Sequence, residues 1–232
     1  MNIWEDNMDL MFDISGLANE EKEFTTSKKD VLKFLKIIGV DTRFVSYTPH
    51  KIYINNLRFS KFSRTREKTF EKQYPDIEVV RSSLFQKICS KSSRVLASEI
   101  KPNSTILMPK DNFICDVLLE PYTRKYGVKL IYEGDCDLIV NPVILDDEVN
   151  NIFSSIFKGE GINFRNKTNE IYPLINVPLD WINSFLESDG QDKVHCENNN
   201  DLAIAFSEFL DDVAPQFREN VLSASDYIEN HI

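Results

Sequence analysis

The chain has 232 residues, a formal net charge of −10, 42% hydrophobic residues and 28% charged residues. That length suits one large domain, or one domain with an appendage. No apolar run approaches the roughly 18 residues of a membrane helix, and the acidic start, MNIWEDNMDL, is unlike a signal peptide. The net negative charge excludes nucleic-acid binding over the whole surface, although a local basic patch is compatible with it.

Cysteine and histidine spacing indicates neither a metal site nor a catalytic triad. The four cysteines lie far apart without a C-x-x-C pair, so we expect a reduced, cytoplasmic protein with buried thiols. Cys89, near Lys91 and Arg94, could be an activated thiol, because cations lower a thiol pKa, or a buried structural cysteine. The three histidines lie in polar or terminal stretches. No catalytic residue is therefore assigned.

The predicted elements alternate between helix and strand through the middle of the chain. Ser27 is a candidate cap for the first helix, which Gly39 closes, and Asp111 is a candidate cap for the fourth. Helices are predicted over 26–39, 62–74, 82–100, 111–127, 146–158 and 179–190, and strands or extended segments over 40–47, 51–57, 76–80, 104–109, 128–134, 136–142 and 170–178. Such alternation with short connections predicts an α/β fold, with a mostly parallel sheet flanked by helices.

Composition divides the chain into three parts. Residues 1–190 are predicted as the α/β domain, with residues 1–23 as a polar, acidic start that could include a short strand or docking segment. QDKVHCENNN, residues 191–200, is a polar linker, and residues 201–232 form an amphipathic helical tail, broken near Pro215. The apolar residues of this tail must be buried either on its own domain or on a partner.

An acidic turn stands where a strand-like run meets a strongly amphipathic helix, in NPVILDDEVNNIFSSIFKG. Asp146, Asp147 and Glu148 suit a helix start, because carboxylates complement the positive end of the helix dipole and Asp146 is a good N-cap. The same turn would also lie outside the carboxyl end of a strand, where open α/β sheets bind ligands. Both interpretations remain open on the residues alone.

A basic segment, RFSKFSRTREKTFEK, covers residues 58–72. Its cations alternate with Phe59, Phe62 and Phe70, so it could contact an RNA backbone and stack on a base. The alternative is a helix with a solvated charged face and a buried phenylalanine stripe. The candidate RNA-binding residues are Arg58, Lys61, Arg64, Arg66 and Lys68.

CDVLLEPYTRKYGVKLIYEGDCDLIVNPVILDDEVNNIFSSIFKGEG, with YPLINVP after it, resembles the second half of the PP-loop ATP pyrophosphatase superfamily. That superfamily includes tRNA thiolases and lysidine synthases. Its members have an aspartate pair at a strand-to-helix turn, a glycine about one helix later, and a P-L-x-x-V-P segment leading into another helix. This chain has Asp146 and Asp147, then Gly159, then Pro173 to Pro178 in that order. The resemblance covers roughly residues 111–190.

The chain differs from the family pattern at two places. Val143 and Ile144 stand where the family has a His-Asn pair, and the S-G-G-x-D-S phosphate loop is absent. The nearest analogue of that loop opens the first predicted helix at Ser27, Lys29 and Asp30. A helix N-terminus can bind phosphate, but without glycines the backbone cannot form the tight cradle. The pattern therefore indicates an inherited, degenerate nucleotide site.

The resemblance implies an adenine-nucleotide-binding protein related to tRNA modification, with ATP and Mg²⁺ as cofactors if the site is active. Ser27, Lys29 and Asp30 would then lie near the phosphates, and Asp146 and Asp147 near both the nucleotide and the metal. The basic segment would contact tRNA or another RNA.

The alternative function is a non-enzymatic interaction subunit that keeps the fold without the site. Its acidic surface and residues 201–232 would then bind a protein partner.

Overall fold

The structure, a computed structural model, describes residues 27–162, 164–165, 168–196, 200–214 and 216–231. The start predicted at residues 1–23 therefore lies outside the described residues, as does Pro215. Among the described helices, none combines the length and hydrophobicity that crossing a bilayer requires.

The N-terminal part of the described chain builds a three-stranded sheet. Its elements are α1 (Lys28–Ile37), a 3-10 turn (Thr42–Phe44), β1 (Val45–Tyr47), β2 (Lys51–Ile54), α2 (Leu57–Ser60), α3 (Arg64–Gln73) and β3 (Glu78–Val80). β1 and β2 form an antiparallel hairpin, and β3 pairs with β2 in parallel. Val31 and Leu35 from α1 and Phe70 from α3 are fully buried in the same cluster as Ile52, so this sheet has its own core.

The middle of the chain builds a second sheet of four strands, all parallel. Its elements are α4 (Ser83–Glu99), β4 (Thr105–Leu107), α5 (Phe113–Leu119), α6 (Tyr122–Lys125), β5 (Lys129–Ile131), β6 (Leu138–Val140), α7 (Leu145–Lys158) and β7 (Glu170–Ile171). The strand order is β5-β4-β6-β7. The largest core cluster includes the fully buried Ile106 of β4 and Phe85 and Ile88 of α4. The predicted α/β class, with a mostly parallel sheet flanked by helices, is confirmed.

Three helices complete the described chain: α8 (Leu179–Asp189), α9 (Asp201–Val213) and α10 (Phe217–His231). α9 and α10 bury Ala203, Phe217 and Leu222 against Leu145 and Val149 of α7, in a third cluster. The predicted break in the tail therefore falls between Val213 and Phe217. The division into a domain, a linker and a tail stays a prediction.

Several helix ends lie where the sequence places them. The Ser27 hydroxyl accepts a hydrogen bond from the Lys29 N–H at 3.3 Å, and Gly159 and Gly190 end α7 and α8 with φ of 73° and 75°. These positive φ values favour glycine because it lacks a Cβ.

Three local predictions were wrong. The single helix predicted over 111–127 is two short helices, because Pro121 lies between them and lacks an N–H to continue α5. Asp111 does not cap it: Asp111 has a left-handed φ of 56°, and Asn112 is the cap. Part of the strand predicted over 40–47 is the 3-10 turn, with Asp41 as its cap.

Candidate functional site

The order of the parallel strands identifies one crevice in the second sheet, outside the carboxyl ends of β4 and β6. From β4 the chain passes to β5 on one side and then to β6 on the other side. In open α/β sheets, ligands bind outside the carboxyl ends of the strands where the order reverses in this way. The two segments at that point are residues 108–112, after β4, and residues 141–144, after β6.

The segment after β4 is a site that the sequence interpretation missed. Lys110 and Asp111 are exposed there, and Asn112 accepts the Cys115 N–H at 3.0 Å to start α5. Lys110 Nζ lies 2.8 Å from Glu133 Oε1 in an ion pair whose side chains are both well exposed. The sequence signal for this site was the strand-like run ILMP, which is followed directly by the polar residues KDN and then by a helix.

The turn after β6 borders a large polar cavity. The Asn141 side chain accepts the Val143 N–H through Oδ1 at 3.3 Å and donates through Nδ2 to the Glu170 carboxylate at 3.1 Å. A cavity of about 750 Å³ opens beside this turn, between α7 and the end of β7, with Asn141, Arg165 and Tyr172 among its lining residues. Small-molecule sites have volumes of roughly 300–1,000 Å³, so this space could hold a nucleotide.

Asp146 joins three helices rather than capping its own. α7 begins at Leu145 with Ile144 as its N-cap, so the predicted cap role was wrong. The Asp146 carboxylate instead accepts the Leu179 N–H, at the start of α8, at 2.7 Å, and lies 3.0 Å from Arg218 Nε of α10. Burial raises the pKa of this carboxyl, despite the Leu179 hydrogen bond and the Arg218 charge.

The other two carboxylates of the acidic turn are buried and also have protein partners. Asp147 lies beside the Cys196 thiol, and Glu148 pairs with Arg165 at 2.7 Å. Within the described part of the chain, no group of three or more His, Cys, Asp or Glu residues is arranged to hold a metal ion. The assignment of Asp146 and Asp147 as metal ligands stays a prediction.

The predicted phosphate-binding turn has a different set of neighbours. Ser27, Lys29 and Asp30 are exposed at the start of α1. Next to them, Lys28 pairs with Glu120 of the α5–α6 junction at 2.8 Å, and it lines a cavity with Tyr47 and Tyr132. Asp146 contacts α8 and α10 instead, so the described contacts do not bring the two predicted halves of the nucleotide site together.

The basic segment separates into core and surface. Phe62 and Phe70 are fully buried, as the structural alternative predicts, whereas the Phe59 side chain is 53% exposed. Arg58, Lys61, Arg64 and Lys68 are exposed and Arg66 is half-buried. Arg64 pairs with Glu67 at 3.0 Å, and Arg66 donates to the Lys61 carbonyl oxygen. The phenylalanine available for stacking is therefore Phe59.

The cysteines are poorly placed for sulfur chemistry. Burial raises the pKa of the Cys89 and Cys115 thiols, and burial together with Asp147 raises that of Cys196 to about 12. A thiol with a raised pKa is a weak nucleophile, because the thiolate is the reactive form. Cys136 precedes β6 and so lies at the opposite end of that strand from the crevice.

The tail is partly packed on its own chain and partly exposed. Ala203 and Ser207 of α9 are buried, and the Ser207 hydroxyl bonds to Asn150 of α7 at 2.7 Å. The opposite face of α9 exposes Leu202, Phe209 and Val213, each by more than half. A protein partner for this face stays a prediction.

Comparisons with known proteins found a similar structure and a partial sequence match. No protein-family model matches the chain. A probable sulfurtransferase of Methanocaldococcus jannaschii is 32% identical over 94 residues, which cover 38% of this chain and 28% of that protein; the chain thus spans under a third of the relative's length. The structure is similar to that of the U34-tRNA thiolase NcsA from Methanococcus maripaludis, solved with its 4Fe-4S cluster. The TM-score is 0.50 at 12% identity, over 70% of this chain and 84% of that one. The structural similarity shows that most of this chain shares the fold of that thiolase.

Proposed function

We propose that this protein binds an adenine nucleotide and acts in RNA modification linked to sulfur transfer, with tRNA as the substrate RNA. The observation that carries the proposal is the parallel order β5-β4-β6-β7, whose reversal places residues 108–112 beside residues 141–144. The likeness to a tRNA thiolase fold and the partial match to a probable sulfurtransferase support this class of reaction.

The phosphates of the nucleotide would lie at the crevice, near Lys110 and Asn112. This placement competes with the one predicted from the sequence, at Ser27, Lys29 and Asp30. Mg²⁺ usually keeps several waters and takes only one or two carboxylates together with substrate phosphates, so Asp146 and Asp147 are the proposed metal ligands. That the protein binds ATP and Mg²⁺ is part of this proposal.

An iron–sulfur cluster does not fit the cysteines that the structure describes. Cys115 is buried in the core, Cys89 is partly buried against that core, and the Cys196 thiol is hydrogen-bonded to Asp147. Because Cys115 is buried, Cys89 and Cys196 are only partly exposed, and Cys136 lies at the opposite end of β6 from the crevice, we propose that the protein binds and positions nucleotide and RNA, and that sulfur is carried elsewhere.

Thermal unfolding with nucleotide tests the proposal. ATP at 100 times its dissociation constant stabilises a folded protein by about 2.7 kcal/mol, so millimolar ATP should raise Tm, and EDTA should reduce the rise if Mg²⁺ takes part. Lys110→Ala should weaken ATP binding about tenfold or more, while Lys193→Ala, an exposed lysine in an ion pair with Glu187, serves as the matched control.

The same experiment separates the two proposed phosphate sites. If Lys29→Ala removes ATP binding and Lys110→Ala does not, the phosphates lie at the start of α1 and the crevice assignment is wrong. No rise in Tm with ATP at any concentration would contradict nucleotide binding altogether.

A further inference from the structure

A second cavity, outside the crevice, combines aromatic rings with positive charge. It has a volume of about 310 Å³ and lies between the 3-10 turn, the end of β2, α4 and α6. Its described lining includes Arg43 and Lys125 and contains no aspartate or glutamate. In a chain with a net charge of −10, such a lining favours an anionic ligand.

One wall of the cavity is a pair of phenylalanines. The Phe44 and Phe59 rings lie 5.3 Å apart between centroids, with an interplanar angle of 33°. Arg43 and Arg58 stand over these rings, with guanidinium carbons 6.0 and 5.9 Å from the two centroids. Phe59 is 53% exposed, although burying a phenylalanine is ordinarily favourable, so part of its ring surface is available to a flat ligand.

Lys125 supplies a charge that the described protein does not neutralise. Its ammonium lies 5.0, 5.3 and 5.9 Å from the ring centroids of Tyr122, Tyr126 and Phe44, and no ion pair to a carboxylate is found for it among the described residues. Burial, and then the Arg43 charge, lower the pKa of Lys125. An anion beside Lys125 would oppose both effects, because it favours the charged ammonium.

The floor of the cavity holds a hydroxyl without a partner. The Ser92 side chain, on α4, lines the cavity and is 1% exposed, and its Oγ has no hydrogen-bond partner among the described residues. Helical serines usually satisfy the hydroxyl by bonding to the carbonyl four residues earlier. A buried polar group left unpaired costs about 1–3 kcal/mol, so Ser92 indicates a ligand atom at this place.

We propose that this cavity binds an unpaired nucleotide of a single-stranded RNA segment. The base stacks on Phe59 and Phe44, a phosphate contacts Lys125 and Arg43, and the Ser92 hydroxyl bonds to the base or ribose. The volume suits one nucleotide, and stacking on aromatic rings beside cations is how proteins hold single strands. The inference rests on the proposed function only in taking RNA as the substrate class.

The surroundings favour an RNA strand over a free nucleotide. Arg43 also lines a neighbouring cavity of about 420 Å³ together with Lys36 and Lys61. The positive surface therefore continues beyond the space for one nucleotide, as a chain of phosphates requires. Asp41 partly offsets this positive charge, because its carboxylate pairs with Arg43 at 2.7 Å.

Fluorescence anisotropy with a labelled 12-nucleotide single-stranded RNA tests the proposal on the full chain. Loss of one stacked base costs roughly 1–3 kcal/mol, or about 5- to 150-fold in affinity, so Phe59→Ala should weaken binding within that range and Phe59→Trp should retain it. Lys125→Met should reduce the slope of log K against log salt by about 0.7, the value for one phosphate on a single strand. Phe209→Ala, exposed on α9, is the matched control and should bind as the wild type does.

Three outcomes would overturn the inference: no RNA binding by the wild type at 50 mM salt, unchanged binding by Phe59→Ala with unaltered Tm, or competition by free AMP at the concentration that saturates the RNA. The third would identify a free nucleotide as the ligand. Because Phe59 and Lys110 belong to different sites, Phe59→Ala should keep the rise in Tm with ATP. Loss of RNA binding in Phe59→Ala without any effect of ATP on the wild type would uphold this site and contradict nucleotide binding at the crevice.

Discussion

Single residues connect the two sheets, and Glu120 is the clearest case. Its carboxylate accepts the Tyr47 N–H of β1 at 3.1 Å and pairs with both Arg124 and Lys28. Arg124 in turn donates to the Thr42 and Val45 carbonyl oxygens at 2.9 and 2.7 Å. Burial raises the pKa of Glu120, but the hydrogen bonds and charges of Arg124 and Lys28 outweigh it, so the pKa lies below its usual value.

Glu120→Gln should destabilise the protein by about 1.5–3 kcal/mol at pH 7, because a buried hydrogen bond to a charged group contributes that much. A lowered pKa means that the ionised form stabilises the fold at a pH above the usual value of about 4.3. That stabilisation is lost as the pH falls through the lower, folded-state value. The difference in the free energy of unfolding between variant and wild type, measured by urea unfolding, should therefore become smaller below about pH 4.

Glu187→Gln is the matched control, since this exposed carboxylate pairs with the exposed Lys193. It should change the free energy of unfolding by less than about 1 kcal/mol. Equal effects of the two substitutions would show that Glu120 does not join the sheets.

At the scale of elements, the acidic turn of α7 works as a junction between helices. Pro178 precedes α8 and offers no side-chain cap, so the first N–H of α8 takes its acceptor from Asp146, 33 residues earlier in the chain. α10 adds Arg218, which also pairs with Asp211 of α9. One carboxylate thereby connects α7, α8 and α10.

Asp146→Ala should lower the free energy of unfolding by about 1–3 kcal/mol, because it leaves the Leu179 N–H without an acceptor. Asp146→Asn keeps an acceptor oxygen. Since burial raises the pKa of Asp146, its negative charge opposes folding at neutral pH, and the asparagine variant should lie within about 0.5 kcal/mol of the wild type. Chemical denaturation of both variants measures this. A loss with asparagine as large as with alanine would mean that the charge of Asp146 is itself needed for stability.

At the scale of the whole molecule, the C-terminal helices extend the core that α7 begins. Leu222 of α10 is 4% exposed, in a cluster with Leu145, Val149 and Phe153 of α7. α7 therefore buries its apolar face against the helix pair. A tail packed in this way should unfold with the rest of the protein.

Leu222→Ala should cost about 2–4 kcal/mol through lost burial and the cavity it leaves. Leu202→Ala, 62% exposed on α9, should cost less than about 0.5 kcal/mol. Urea unfolding, monitored by circular dichroism, should show one transition. Its midpoint should move to a lower urea concentration in Leu222→Ala and stay unchanged in Leu202→Ala. A separate early transition in the wild type would instead support the predicted division into a domain and an independent tail.

The sequence alone determined the α/β class, most helix positions and several helix ends, because hydrophobic period and capping depend on residues within a turn or two of one another. It also singled out the acidic turn and the basic segment. The cap assigned to Asp146 was wrong because near neighbours do not reveal a distant donor such as the Leu179 N–H. The single helix assigned to 111–127 was wrong because Pro121 interrupts it.

Only the tertiary structure decided what those residues contact. It gave Asp146 its partner Arg218, 72 positions later in the sequence, it placed β4 beside β6 and so brought residues 108–112 to the crevice, and it left Phe59 exposed while burying Phe62 and Phe70. These outcomes depend on the path of the chain between segments that are far apart in sequence. A local sequence pattern does not determine that path, because the path is set by the packing of all the elements together.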